Sequence, residues 1–177
     1  PGFIGAAQAL VGPTLIKWGS EAQKERYVRP LLRGDEVWCQ LFSEPGAGSD
    51  LSNLAARAVA ADHPADGWVV DGQKVWTSSA QHADFGILLA RTDPDVPKHH
   101  GISFFIVDMT TPGIDVRPLI QAQGVAHFNE VFLDAVHVPA DRVVGVVDGG
   151  WSVAMTTLTA ERTAIGGSGG GGNAPKP

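Results

Sequence analysis

The chain has 177 residues, 44% of them hydrophobic and 18% charged, with a net charge of −6. That length and composition suffice to bury a core and exclude a disordered chain, while the acidic balance gives no electrostatic reason to bind nucleic acid. A single cysteine, Cys39, excludes an internal disulfide and a paired-cysteine metal site.

Residues 6–33 read as helical. Gly12-Pro13 predicts a break, with Pro13 opening a second short helix, because the N–H it lacks has no partner at a first helical position. Ser20-Glu21-Ala22-Gln23 has the spacing of a capping box. Tyr27, Val28, Leu31 and Leu32 form an apolar stripe that Arg33-Gly34 ends, and Pro30 predicts a kink or an early stop.

Beyond Gly34 the period changes. Short apolar runs at 37–42, 56–60, 68–71, 86–90, 102–107, 116–119 and 131–133 read as strands. Asp66-Gly67, Asp71-Gly72, Asp93-Pro94, Thr111-Pro112-Gly113 and Gly124 read as the turns between them. Residues 151–165 return to a helical pattern. The order of helices, strands and one more helix predicts an α+β fold: an antiparallel β-barrel or sandwich flanked by helices at both ends. No apolar run has the length of a membrane span and no leader pattern is present, so a cytoplasmic location away from membranes is expected. Pro1 to Gly5 and the Gly-rich stretch from Gly166 to Pro177 read as signs of a truncated chain, the latter as a flexible tail.

Ser43-Glu44-Pro45-Gly46-Ala47-Gly48-Ser49-Asp50 directly follows a predicted strand. Its glycines permit positive φ and close backbone approach, and its N–H groups can form an anion-binding concavity. Taken alone, the segment also reads as an ordinary turn. Trp76, on a strand, reads by residue type as core. His63, His82, His99, His100, His127 and His137 share no ligand spacing, so no metal is expected. Lys98, His99 and His100 read as a solvated loop. Gly166-Gly167-Ser168-Gly169 follows a helix rather than a strand, which is the wrong context for a phosphate loop.

The octapeptide and the preceding Gln40-Leu41-Phe42 resemble the first signature of the acyl-CoA dehydrogenase family. The segments 71–79, 90–93, 101–105, 111–113, 129–134, 138–139 and 149–151 follow in that family's order, so that the resemblance covers nearly residues 1–165. It implies four parts: the end of an N-terminal helical domain (1–34), a middle β-domain (35–147), the start of a C-terminal helical domain (148–165) and a tail (166–177). It further implies FAD as cofactor, lying across the strands. Gln40, Leu41, Phe42, Ser43, Gly48 and Ser49 would contact the flavin, largely through backbone groups. Trp76, Thr77 and Ser78 would flank the ring, with the Ser78 hydroxyl where family members usually carry Thr. Leu41 and Phe42 stand where the family usually has small or unbranched residues.

Ser49 and Arg162 would bind the acyl-CoA substrate. Glu161 stands where a minority of the family carries the catalytic base; most members carry it far downstream. The implied reaction is α,β-dehydrogenation of an acyl-CoA thioester. An electron-transfer flavoprotein would be the acceptor and the full-length protein a homo-oligomer, whereas this chain alone would be inactive. An acyl-CoA oxidase, a flavin monooxygenase relative and a noncatalytic flavin- or CoA-binding subunit resemble the same pattern.

Overall fold

The computed structural model describes residues 2–63, 66–122 and 124–167, with the side chains of 8–63, 66–122 and 124–164. Pro1 and residues 168–177, on which the tail expectation mostly falls, lie outside them.

Helix α1 (Gly2–Trp18) runs unbroken through Gly12-Pro13, contrary to the predicted interruption. Its second half is held by tertiary contacts. Leu15 is fully buried, and the Thr14 hydroxyl, which also bonds Leu10 O, lies 2.8 Å from that of Thr157. Packing of this kind outweighs the hydrogen bond that a proline deletes. The Ser20 capping box forms as expected at α2 (Glu21–Gln23). The helix then widens into a π-helical turn (Lys24–Val28) before α3 (Arg29–Arg33), which carries Pro30 in its first turn. The widened turn accommodates a proline that can neither donate nor fit the ordinary spacing. Gly34, at φ 72°, ends α3 as predicted.

Among the described residues seven strands follow: β1 (Trp38–Leu41), β2 (Arg57–Ala60), β3 (Trp68–Ser78), β4 (Phe85–Arg91), β5 (Ile102–Asp108), β6 (Ile114–Leu119) and β7 (Phe128–Val138). They form one sheet in the order β1-β4-β2-β3-β7-β6, with β5 also on β4. The sheet is mixed, not antiparallel: β1 runs parallel to β4, and one parallel bridge, Arg57 to Arg91, joins β2 to β4. The excursion through β2 and β3 supplies the crossover that parallel pairing requires. The remaining ladders are antiparallel.

Strands β3 and β7 are much longer than their apolar runs. Asp71-Gly72, read as a turn, is an irregularity inside β3, where the register shifts between Val70 and Gly72. A Cβ on Gly72 would lie 2.5 Å from Ala56 Cβ, so the bare backbone there lets β3 approach the segment before β2.

The sheet curls on itself, bringing Trp68 of β3 edge-on to Phe105 of β5 at 5.7 Å although these strands are not ladder neighbours. Its inner face buries Leu41, Leu88, Phe105, Val107, Val131 and Val136. Its outer face buries Phe42, Ile87, Leu89, Phe104 and Ile106 against Leu15, Leu31 and Val153 of the helices. Strands β4 and β5 are therefore covered on both sides, which explains their continuous apolar runs. Helix α4 (Gly150–Gly167) closes the outer layer, with Gly166 and Gly167 inside it rather than in a tail. Its start is fixed by Gly150, where a Cβ would lie 2.5 Å from the Ser103 backbone.

Candidate functional site

The site is built where β1 leaves the sheet. Glu44 and Ala47 exchange backbone hydrogen bonds of 3.1 Å, closing a two-residue turn at Pro45-Gly46. Neither Gly46 nor Gly48 adopts positive φ, so the predicted left-handed role is corrected. A Cβ at either position would meet nothing within 4 Å. Protein packing does not demand glycine there; the glycines leave a bare backbone surface for another molecule to approach.

A buried ion pair stitches this loop to β3. Lys74, with no exposed surface, places Nζ 2.8 Å from Glu44 Oε1 and donates to Phe42 O at 3.2 Å. The Glu44 carboxylate also accepts the N–H groups of Ala55 and Ala56 at 2.6 and 3.0 Å. Burial pulls the Lys74 ammonium down to about 8, against the opposing pull of Glu44. Next in β3, Val75 N–H donates to Ser43 O at 2.9 Å. Sequence reasoning assigned Glu44 and Lys74 no role. Their only signal was membership in two motif segments.

Trp76 follows at φ 61° and is 61% exposed, so the expectation of a core tryptophan is corrected. Its indole meets Phe128 edge-on at 5.9 Å. Ser78 is exposed like Trp76, while Thr77 between them is buried, and its Oγ1 has no hydrogen-bond partner. This alternation puts the indole and the Ser78 hydroxyl on one face of β3.

Helix α4 supplies the opposite wall. A cavity of about 540 Å³ is lined by Gln40, Phe42, Ser43, Gly48 and Ser49 from the β1 side and by Glu161 and Arg162 from α4. Among the described residues, neither the Glu161 nor the Arg162 side chain has a hydrogen bond or ion pair. Leu41 points the other way, into the inner core, because strand neighbours alternate faces. Trp76, Thr77 and Ser78 do not line this cavity; the Ser43–Val75 backbone bond is what joins their ridge to it.

At the cavity edge His99 meets Trp151 at 4.7 Å. The neighbouring Lys98 bonds Asp50 at 2.7 Å; that hydrogen bond, and a second from Ser52, hold the Asp50 carboxyl below its usual range. Trp151 and Met155 are shared with a second groove of about 940 Å³ between α1 and α4. Arg91 braces the loops behind, donating to the carbonyls of Ser52, Leu54 and Lys98. Among the described residues no helix is long and apolar enough to cross a membrane.

Comparison with known proteins gives a consistent answer. The family described as acyl-CoA dehydrogenase, middle domain, matches residues 39–136. The chain is 58% identical over 153 residues to Acyl-CoA dehydrogenase FadE34 of Mycobacterium tuberculosis, an alignment covering 86% of this chain and 21% of that protein. It is 46% identical over 155 residues to Acyl-CoA dehydrogenase IpdE1 of the same organism, covering 88% and 40%. The solved structure of the Tcur3481-Tcur3483 steroid ACAD superposes with a TM-score of 0.83 at 40% identity, covering 92% of this chain and 41% of that one. The chain thus spans between about a fifth and two-fifths of the length of these relatives.

Proposed function

The chain belongs to the acyl-CoA dehydrogenase family, and from that premise we propose that it carries part of the FAD site and one wall of the substrate site of an enzyme that α,β-dehydrogenates an acyl-CoA thioester. The observation that carries this reading is the shared cavity: Glu161 and Arg162 of α4 face Gln40, Ser43 and Ser49 across it. On this reading residues 35–147 are the middle β-domain, and 1–34 and 148–165 belong to flanking helical domains.

The residues present fit FAD. Gly46 and Gly48 leave bare backbone, Trp76 presents an exposed indole, and Ser78 a hydroxyl beside it. Gln40, Leu41, Phe42, Ser43, Gly48 and Ser49 would hold the flavin from one side, Leu41 by its backbone alone, and Trp76, Thr77 and Ser78 from the other. When bound, FAD supplies the acceptor for the β-hydrogen, which leaves as hydride. The Glu161 carboxylate takes the α-proton. Arg162 orients the thioester, and Ser49 holds the coenzyme A portion. An electron-transfer flavoprotein would be the electron acceptor, and the full-length protein a homo-oligomer in the cytoplasm.

The groove between α1 and α4 continues the cavity past Trp151 and Met155, and Ala9, Ala160 and Ala164 leave it wide. This supports a bulky acyl group, in keeping with the relative described as a steroid ACAD.

In the full-length protein, FAD binding followed by flavin fluorescence and turnover of acyl-CoA thioesters test the reading. Glu161→Gln is expected to keep FAD and lose turnover by a factor of about 10² or more; unchanged turnover removes Glu161 from the chemistry. A ring-bearing thioester is expected to exceed a linear one in kcat/KM, and the reverse order overturns the bulky substrate. The 177-residue chain alone is expected to be inactive; submicromolar FAD binding with turnover by it would refute that.

A further inference from the structure

Asn129 is a polar residue with no exposed surface, set in β7 opposite Thr77. Ladder pairing runs Lys74 to Val131 and then Thr77 to Asn129, so Val75 and Trp76 together oppose the single residue Glu130. This bulge turns Trp76 to φ 61°, a region that a side chain as large as indole enters only under constraint. The Asn129 amide ties the residue that closes the bulge to the turn that follows β3. Nδ2 donates to Thr77 O at 2.9 Å and to Gln81 Oε1 at 2.6 Å, on the next turn of chain. Its Oδ1 is buried without a partner. An amide that leaves its own acceptor unsatisfied in the interior is retained for its donors, since an apolar residue would suit a buried strand position better. Phe128 sets its ring against Trp76, and Val75 is tied on its other side to Ser43 O. The ridge is thus pinned from both flanks.

We propose that Asn129 is a positioning residue that fixes the bulge at Val75–Trp76 and so aims the Trp76 indole and the Ser78 hydroxyl at the cofactor. The flavin part of this inference rests on the function proposed above; the bulge part does not.

Two variants of the full-length protein, Asn129→Leu and Asn129→Ala, test it by amide hydrogen exchange and FAD affinity. Exchange at residues 75–78 is expected to speed up about tenfold or more while β4 and β5 keep their protection, because the loss is local. FAD affinity is expected to fall about tenfold or more, with a shifted visible flavin band. The alanine variant stands in if leucine prevents folding, since it removes the donors without adding bulk. Unchanged exchange at 75–78 overturns the proposal, as does a uniform loss of protection across the sheet. If the wild-type protein fails to bind FAD, the functional reading falls, while the exchange data still decide what Asn129 holds. Wild-type FAD binding with both variants within about twofold of it overturns the positioning role.

Discussion

Lys74 Nζ and Glu44 Oε1 lie 2.8 Å apart, thirty residues apart in sequence, with both side chains inside the protein. The pair joins three pieces of chain: the turn after β1, the centre of β3 and the segment before β2, whose Ala55 and Ala56 amides bond the same carboxylate. It is therefore the fastening that holds the glycine loop in register with the tryptophan ridge. A buried charge pair adds little net stability over an apolar pair, yet breaking one is severe because the survivor is stranded.

Lys74→Met is accordingly expected to destabilise the fold by about 3–5 kcal/mol. Glu44→Leu should cost more, since it also orphans two backbone amides, each worth roughly 1–3 kcal/mol. The double variant should fall little further than Glu44→Leu alone, because replacing the lysine then relieves an unpaired cation. Urea unfolding of the four proteins gives the cycle. Simple additivity of the two losses would show that the pair does not act as a unit.

The same lysine sets a pH dependence. Its ammonium lies at about 8 in the folded protein against 10.5 in an exposed lysine. Between these values the unfolded chain holds a proton that the folded one has lost, so folding stability gains from rising pH across that window and loses it as pH falls through about 8. The advantage of wild type over Lys74→Met in unfolding free energy should therefore grow as pH rises through this window, by at most about 1.4 kcal/mol per pH unit. Equal pH profiles for the two proteins would place the lysine titration outside this window.

What the sequence revealed follows the range of the interactions. The capping box at Ser20 and the stop at Gly34 are decided within a few residues and were legible. The β-rich middle was legible from its apolar runs, whereas the grouping of Gln40, Ser43 and Ser49 was expected only from the resemblance of their segment to the family's first signature. The rest depends on contacts across the chain. Gly12-Pro13 looks like a break until Thr157 is seen against Thr14. Asp71-Gly72 looks like a turn until β7 is paired through it. The parallel β1–β4 ladder leaves no local trace. Trp76 is exposed because a bulge turns it outward, which residue type cannot foretell.

Gly150 should tolerate no side chain. A Cβ there would sit 2.5–2.7 Å from backbone atoms of Ser103 and Phe104, which cannot yield as a flexible side chain could. Gly150→Ala must push the start of α4 off β5, at about 1–3 kcal/mol. Because Glu161 and Arg162 ride on α4, turnover should fall further than stability explains. Thermal unfolding and kcat/KM measured together check this, and a variant with wild-type values in both would show that the helix start is free to shift.

The hydroxyls of Thr14 and Thr157 meet at 2.8 Å in the fully buried contact between α1 and α4. Each hydroxyl also reaches a carbonyl one turn back in its own helix, Leu10 O at 2.8 Å and Val153 O at 3.4 Å. Thr14 is thus the better satisfied of the two, and Thr157 relies more on its partner. Thr14→Val should then cost more than Thr157→Val, because it strands the group with the poorer alternative. The expected losses are about 1–3 and about 1 kcal/mol. Valine nearly preserves the shape, so the double variant removes both polar groups together and should be no worse than Thr14→Val alone. Unfolding free energies of the two single variants and the double variant decide the matter, and equal, additive losses would mean that the two hydroxyls are satisfied separately within their own helices.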